Sequence, residues 1–185
     1  MIRYNSIQKI LRESITMRWV LYLSLTLTLG ALVVNMVSVC VPYWLYTKSP
    51  SMAYQGLWQR CESASSQTDN MECVLIKLPP EFLDATRVMM LFGFSFYAIA
   101  AICAFSFVCC RDDNPSLITA ATFLMLFGGI LSMIGVIVYG AMYPILLGAR
   151  GLNLHAGFGL AVVSVLIAFV NTLFYCMAKA RGDTE

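Results

Sequence analysis

Charged side chains are scarce in this sequence. Asp, Glu, Lys and Arg make up 12% of its 185 residues, whereas hydrophobic residues make up 59%. A soluble domain carries roughly 25% charged residues. A water-soluble chain of this length could not bury so much apolar surface, so the composition indicates an integral membrane protein. The formal net charge is only +2 and no basic cluster is present, which argues against a nucleic-acid partner.

The sequence also has few residues suited to catalysis or to metal binding. It contains a single histidine, His155, and no Cys-x-x-Cys motif, so no metal or cofactor is expected. No nucleophile elbow or phosphate-binding glycine loop occurs. The long apolar runs contain no charged residue at depth, where such a residue would indicate a proton or ion pathway. We therefore expect no enzyme, and a transporter is disfavoured.

Four uncharged runs are long enough to form membrane-spanning helices, which need about 20 residues each. Between them lie a long first loop and a short second loop, and no repeat or linker divides the chain. We predict one domain, 1–185, of all-α membrane class with the following segments: spans 19–41, 88–110, 117–143 and 156–178, first extracellular loop 42–87, and second extracellular loop 144–155.

Loop charges predict the orientation of the four spans. The segment before the first span is rich in Arg and Lys, and the tail after the fourth contains Lys179 and Arg181. The positive-inside rule therefore places both termini in the cytoplasm of a multi-pass plasma-membrane protein. Residues 1–18 are expected to form either an amphipathic helix on the inner leaflet or a frayed tail.

Two asparagines lie within the predicted spans. Asn35 and Asn171 differ in membrane depth by roughly 13 Å, calculated at about 1.5 Å of rise per helical residue. They are therefore poor partners for each other, and we expect each to form interhelical hydrogen bonds with other groups.

Of seven cysteines, only Cys61 and Cys73 lie in the polar first loop. If that loop is extracellular, oxidising conditions favour a disulfide between them. Strand-compatible residues at 52–59 and 72–77, joined by a polar turn at 63–70, would bring the two thiols opposite each other. Closing a loop of this size stabilises the fold by about 3 kcal/mol.

Three other cysteines occupy juxtamembrane positions at the predicted cytoplasmic side. Cys109, Cys110 and Cys176 are suited to S-palmitoylation. The alternative is that they serve only as small apolar residues.

Two side chains of the first loop are expected to fix it to the bundle. Trp58 offers a large apolar face for packing a small sheet against the bundle end. Arg87, which precedes the second span, can donate hydrogen bonds to loop carbonyls.

An ordered set of residues in this region resembles the signature of the claudin family, whose relatives include peripheral-myelin, epithelial-membrane and lens-fibre tetraspan proteins. The set covers about residues 41 to 90: Pro42-x-Trp44, Gly56-Leu57-Trp58-x-x-Cys61, Met71-x-Cys73, Leu78-Pro79 and Leu83-x-Ala85-x-Arg87-x-x-Met90.

The resemblance implies a left-handed bundle of four transmembrane helices with a small extracellular antiparallel β-sheet. Leu57 and Trp58 would anchor the sheet, Cys61 and Cys73 would form its disulfide, and Arg87 would supply the basic contact. It further implies association with claudin-like proteins within one membrane and across two cells, at cell junctions, to form a paracellular barrier.

The chain departs from the claudin pattern in three places. Its gaps between Trp44 and Gly56 and between Cys73 and Leu78 are short, and Val74 is uncharged, so a charge-selective channel is not supported. The terminal residues 183–185 lack the hydrophobic residue that PDZ scaffolds bind. These departures keep open an alternative in which the chain is an auxiliary subunit of an ion channel or receptor.

Overall fold

The computed structural model describes residues 2–47, 53–63, 71–109, 115–147 and 152–182. Four long helices contain segments that are long and apolar enough to cross a membrane. The chain is thus a four-span, multi-pass membrane protein. The helices are α1 (Ile2–Cys40), α2 (Glu81–Cys109), α3 (Pro115–Leu147) and α4 (Ala156–Gly182), and the candidate spans within them are Arg18–Cys40, Glu81–Cys109, Ser116–Met142 and Ala156–Ala180.

The helices form a bundle in which α1 packs against α2 and α4, and α3 packs against the same two helices. Small side chains in the interior let the backbones approach closely, as is usual where lipid rather than water surrounds the bundle. Large apolar side chains cover the outside, where they meet lipid. The fully buried small residues include Ala31, Ala100, Ala104, Ala121, Ala161 and Ala168.

Two helices extend beyond the segments predicted from hydrophobicity. Helix α2 begins at Glu81, directly after Pro79-Pro80, and residues up to 87 that were assigned to the loop form its first turns. Glu81 and Asp84 lie in that first turn, where carboxylates interact favourably with the helix dipole. Helix α1 runs without interruption from Ile2, so the N-terminal segment and the first span are one helix.

An antiparallel five-stranded sheet lies at one end of the bundle. Its strands are β1 (Leu45–Thr47), β2 (Ala53–Gln55), β3 (Gln59–Ser63), β4 (Met71–Leu75) and β5 (Leu152–Leu154), in the order β4-β3-β2-β1-β5. The predicted fold class, a four-helix membrane bundle with a small antiparallel sheet, is confirmed.

The sheet is larger than the single hairpin expected from the sequence. The predicted strand at 52–59 is divided into β2 and β3 by a turn, and β5 comes from the second loop. Because β5 pairs with β1, the two loops between spans form one structure. A hydrophobic cluster between the sheet and the helices joins them: Val39, Trp44, Leu45, Leu57, Phe82, Leu83, Met90, Tyr139 and Ala161.

Candidate functional site: the sheet and its attachment to the bundle

Trp44 is the tryptophan buried beneath the sheet, with no exposed surface. Its Nε1 donates a 2.7 Å hydrogen bond to the Ser38 carbonyl near the end of α1. In a continuing helix that carbonyl would accept from the residue four positions later, but this residue is Pro42, which has no N–H. The indole therefore satisfies an otherwise unpaired carbonyl at the helix end.

The rings of two other helices complete the surroundings of Trp44. Tyr139 of α3 lies 4.8 Å from it, centroid to centroid, and Phe158 of α4 lies 6.0 Å away, both in edge-to-face geometry. Trp44 thus contacts α1, α3 and α4 directly while its own backbone N–H bonds to the Gln55 carbonyl in β2.

Gly157 permits the close approach of α4 to the sheet. A Cβ at this position would lie 2.7 Å from Trp44 Cδ1 and 3.0 Å from the Tyr43 carbonyl oxygen. The Gly157 N–H donates to that Tyr43 oxygen at 2.7 Å, and the Ser38 hydroxyl donates to the Gly157 carbonyl at 2.7 Å. A larger residue would force α4 away from these bonds.

The Gly56-Leu57-Trp58 motif forms the tight connection between β2 and β3. The Gly56 N–H donates to the Gln59 carbonyl at 2.9 Å. A Cβ on Gly56 would lie 2.6 Å from Pro42 Cα, so only glycine allows the turn to approach the end of α1. Leu57 is fully buried in the cluster under the sheet.

Arg87 holds this turn from α2. Its Nε donates a 2.7 Å hydrogen bond to the Leu57 carbonyl, and one terminal nitrogen pairs with Asp84 at 2.8 Å. Its guanidinium carbon lies 4.9 Å from the centre of the Trp58 ring, which is cation–π geometry. The expected contact of Arg87 with a loop carbonyl is present.

The position of Trp58 corrects the sequence-based expectation. This side chain is 37% exposed and lies over Arg87, outside the hydrophobic cluster that attaches the sheet. Trp44 and Leu57 occupy that cluster. The tertiary structure explains the difference: Trp44 follows α1 directly and is directed into the bundle, whereas Trp58 lies at the tip of a turn.

Cys61 and Cys73 form a disulfide between β3 and β4. They are direct register partners, with Cα atoms 4.0 Å apart. Cys61 is buried, but all five residues of β4 are exposed. The disulfide therefore holds a strand that has little core of its own.

Strand β4 forms one edge of the sheet and carries an apolar surface. Val74 is 63% exposed, Leu75 is 68% exposed, and Leu78, just beyond the strand, is 94% exposed. Among the described residues no further strand pairs with the outer side of β4. Unpaired backbone groups next to exposed apolar side chains are typical of a surface that binds another protein. We refer to residues 71–78 as the β4 edge.

A second surface feature, not predicted from the sequence, is a group of aromatic rings near the opposite edge. Tyr43, Tyr46, Tyr54 and His155 lie with ring centroids 4.9–6.0 Å apart. The rings pack on one another and join β1 and β2 to the start of α4. The spacing of the three tyrosines in the first loop shows no strand-like alternation that could have indicated this cluster, and His155 comes from the second loop.

The cysteines considered for acylation lie far from the sheet. Cys109 at the end of α2 and Cys176 in α4 are free and exposed. Cys110 lies outside the described residues. Their acylation stays a prediction.

The described residues of the sheet offer backbone groups and side chains but no group suited to a metal ion. In the described part of the chain, no three His, Cys, Asp or Glu side chains come together in a group that could hold a metal ion. The charged contacts described here are pairs, Arg60 with Glu62 and Arg87 with Asp84. The β4 edge adds unpaired backbone groups and exposed apolar side chains to this surface.

Comparison with known proteins extends the match over most of the chain. The model of the PMP-22/EMP/MP20/Claudin family matches residues 17–177. The match includes all four candidate spans almost entirely, and the whole sheet. A search of curated proteins gives no significant match.

Proposed function

Because the chain belongs to the PMP-22/EMP/MP20/Claudin family, we propose that it is a cell-junction protein that supports cell–cell contact and a paracellular barrier. It acts by associating with claudin-like proteins, laterally and across cells, through the disulfide-bonded sheet. The sheet lies outside the plasma membrane and both termini lie in the cytoplasm. The family is a non-enzymatic membrane family, and we assign this chain no catalytic role.

The observation that carries the proposal is the β4 edge. Val74 and Leu75 point to opposite faces of an edge strand, yet both are more than half exposed. Lipid can shield the apolar side chains of a membrane protein from water. The residues of this sheet, however, lie outside the candidate membrane spans. An apolar strand edge in water is an aggregation hazard unless a partner covers it.

The attachment of the sheet suits this role. Trp44 joins it to three helices, Arg87 holds the β2–β3 turn, and the disulfide fixes β4 to β3. A rigid surface loses little conformational entropy on binding, which favours association of many weakly binding copies.

Expression in non-adherent cells tests the proposal. The protein should concentrate where two expressing cells touch, and freeze-fracture microscopy should show intramembrane strands there. Val74→Lys should abolish the enrichment without lowering the surface level, since position 74 is exposed. The matched control, Asn153→Lys, places the same charge at an exposed position in β5, at the opposite edge, and should retain enrichment. Normal surface delivery of the wild type without enrichment would refute the proposal.

A second function, an auxiliary subunit of a channel or receptor, is favoured by one observation. The three residues that follow Cys73 in the β4 edge, Val74, Leu75 and Ile76, are uncharged, and they suit an apolar face of a larger partner better than the lining of a charge-selective pore. Chemical crosslinking and mass spectrometry of the native complex distinguish the two functions. A pore-forming subunit present at fixed stoichiometry supports the second function, whereas claudin-like partners support the first.

A further inference from the structure

A group of buried polar side chains lies in the bundle, away from the sheet. Asn35 of α1, Tyr97 of α2 and Ser132 of α3 are all fully buried. We call these three residues the polar node. Nothing in the association of the sheet with partners depends on them, so the inference below is independent of the proposed function.

Hydrogen bonding within the polar node is incomplete. Asn35 Nδ2 donates to Ser132 Oγ at 3.4 Å, which is long for such a bond. Asn35 Oδ1 makes no hydrogen bond within the described residues, and the interaction of the Tyr97 hydroxyl with Ser132 falls outside hydrogen-bond geometry. Exchanging the amide oxygen and nitrogen of Asn35 would not help, because one of the two groups would still lack a partner.

The second asparagine, Asn171, also has a buried Oδ1 without a hydrogen bond in the described residues, but its Nδ2 is bonded at a shorter distance. Asn171 Nδ2 donates to Thr28 Oγ1 at 2.8 Å, and the same oxygen lies 2.7 Å from the Tyr175 hydroxyl. These short bonds connect α1 and α4 directly. Both asparagines thus form the expected interhelical bonds, but only Asn171 does so at a normal distance.

Two glycines bring the groups of the polar node together. A Cβ on Gly93 would lie 2.1 Å from Ser132 Oγ, and a Cβ on Gly128 would lie 2.8 Å from the Tyr97 ring. Each glycine is one helical turn from a node residue on its own helix, Gly93 from Tyr97 and Gly128 from Ser132. Close contact of α2 and α3 therefore directs both hydroxyl-bearing side chains into the interior.

Leaving these groups unpaired is costly in a membrane. A buried donor or acceptor without a partner destabilises the folded state, and the bilayer supplies no bulk water to satisfy it. The node offers an acceptor on Asn35, a donor on Tyr97 and a hydroxyl on Ser132. A buried water molecule typically makes about three hydrogen bonds to such groups. No charged residue belongs to the node, so its chemistry suits water better than an ion.

We propose that the polar node binds one water molecule, which bridges Asn35 Oδ1 and the Tyr97 hydroxyl and joins α1 to α2 and α3. The ligand is water, and its site is the bundle interior. In this part of the bundle the water bridge connects α1 to α2 and α3, just as direct hydrogen bonds connect α1 to α4.

The first test is Tyr97→Phe, measured by equilibrium unfolding of the full chain in detergent micelles. If water bridges the hydroxyl, its loss should lower the folded-to-unfolded ratio roughly fivefold, the factor that corresponds to about 1 kcal/mol. If the hydroxyl is truly unpaired, its removal should leave stability unchanged or raise it. Tyr22→Phe, at a lipid-exposed position, is the matched control and should be neutral.

The second test detects water directly in the wild-type protein and uses Tyr97→Phe only for comparison. Protein labelled on its asparagine side chains, in micelles, should show an NMR cross-peak between a long-lived water and the Asn35 amide protons. The cross-peak should weaken in Tyr97→Phe. Absence of the cross-peak in the wild type, or a neutral or stabilising Tyr97→Phe, would overturn the proposal.

Discussion

Replacing Trp44 by Phe should destabilise the protein much more than replacing Trp58 by Phe. Trp44→Phe removes the 2.7 Å bond to the Ser38 carbonyl and leaves that carbonyl without a donor. A buried unpaired group costs roughly 1–3 kcal/mol. The lost part of the indole leaves a void at least as large as a methyl group, which costs about 1 kcal/mol more. We therefore expect a loss of roughly 2–4 kcal/mol.

The same change at position 58 should cost less than about 1 kcal/mol. Trp58 is 37% exposed, and phenylalanine keeps an aromatic face for Arg87, whose cation–π contact is worth about 0.5–1 kcal/mol at an exposed site. Thermal unfolding of both purified variants in the same detergent measures the difference. A chain of this length shifts by about 2–4 °C per kcal/mol. Equal losses, or a greater loss for Trp58→Phe, would refute the assignment of Trp44 as the anchor.

Three further changes test how the sheet is attached. Arg87→Lys keeps the charge but loses the Nε bond to the Leu57 carbonyl, so it should cost about 1.5–3 kcal/mol in detergent unfolding; an unchanged midpoint would show that charge alone matters. Gly157→Ala should also lower the unfolding midpoint, because the alanine Cβ would lie 2.7 Å from Trp44 Cδ1. An unchanged midpoint would mean that α4 can shift without cost. Cys61→Ser removes a disulfide worth about 3 kcal/mol. It should reduce the amount of protein at the cell surface, as measured by surface biotinylation. Normal trafficking and partner binding of this variant would contradict a structural need for the disulfide.

The sequence was sufficient to predict the bundle because lipid imposes a simple pattern. Uncharged runs of about 20 residues mark the spans. Their ends were less predictable: α2 begins at Glu81 rather than at residue 88. Hydrophobicity identifies the residues that contact lipid, whereas backbone hydrogen bonds decide where a helix starts. The acidic residues Glu81 and Asp84, which follow Pro79-Pro80, were a signal of that start.

The candidate site was predictable in its local parts. Cys61 and Cys73 were identified by their polar surroundings, and Arg87 by its position near the loop. Strand β5 was not predictable, because three residues are too few to show a strand pattern and form a strand only by pairing with β1. The anchoring role of Trp44, which was expected of Trp58, has the same cause. Burial of an aromatic ring depends on which helices meet it, and no spacing within the loop encodes that.

The central claim is that the β4 edge is the surface through which this protein associates. A photo-crosslinking amino acid placed at Val74 in the full chain, in cells that touch one another, tests it most directly, with the same amino acid at lipid-exposed Phe105 as control. We predict protein–protein adducts from position 74 that contain claudin-like membrane proteins, copies of this chain included, and far fewer from position 105. Position 74 yielding no protein adduct at normal surface levels would contradict the account.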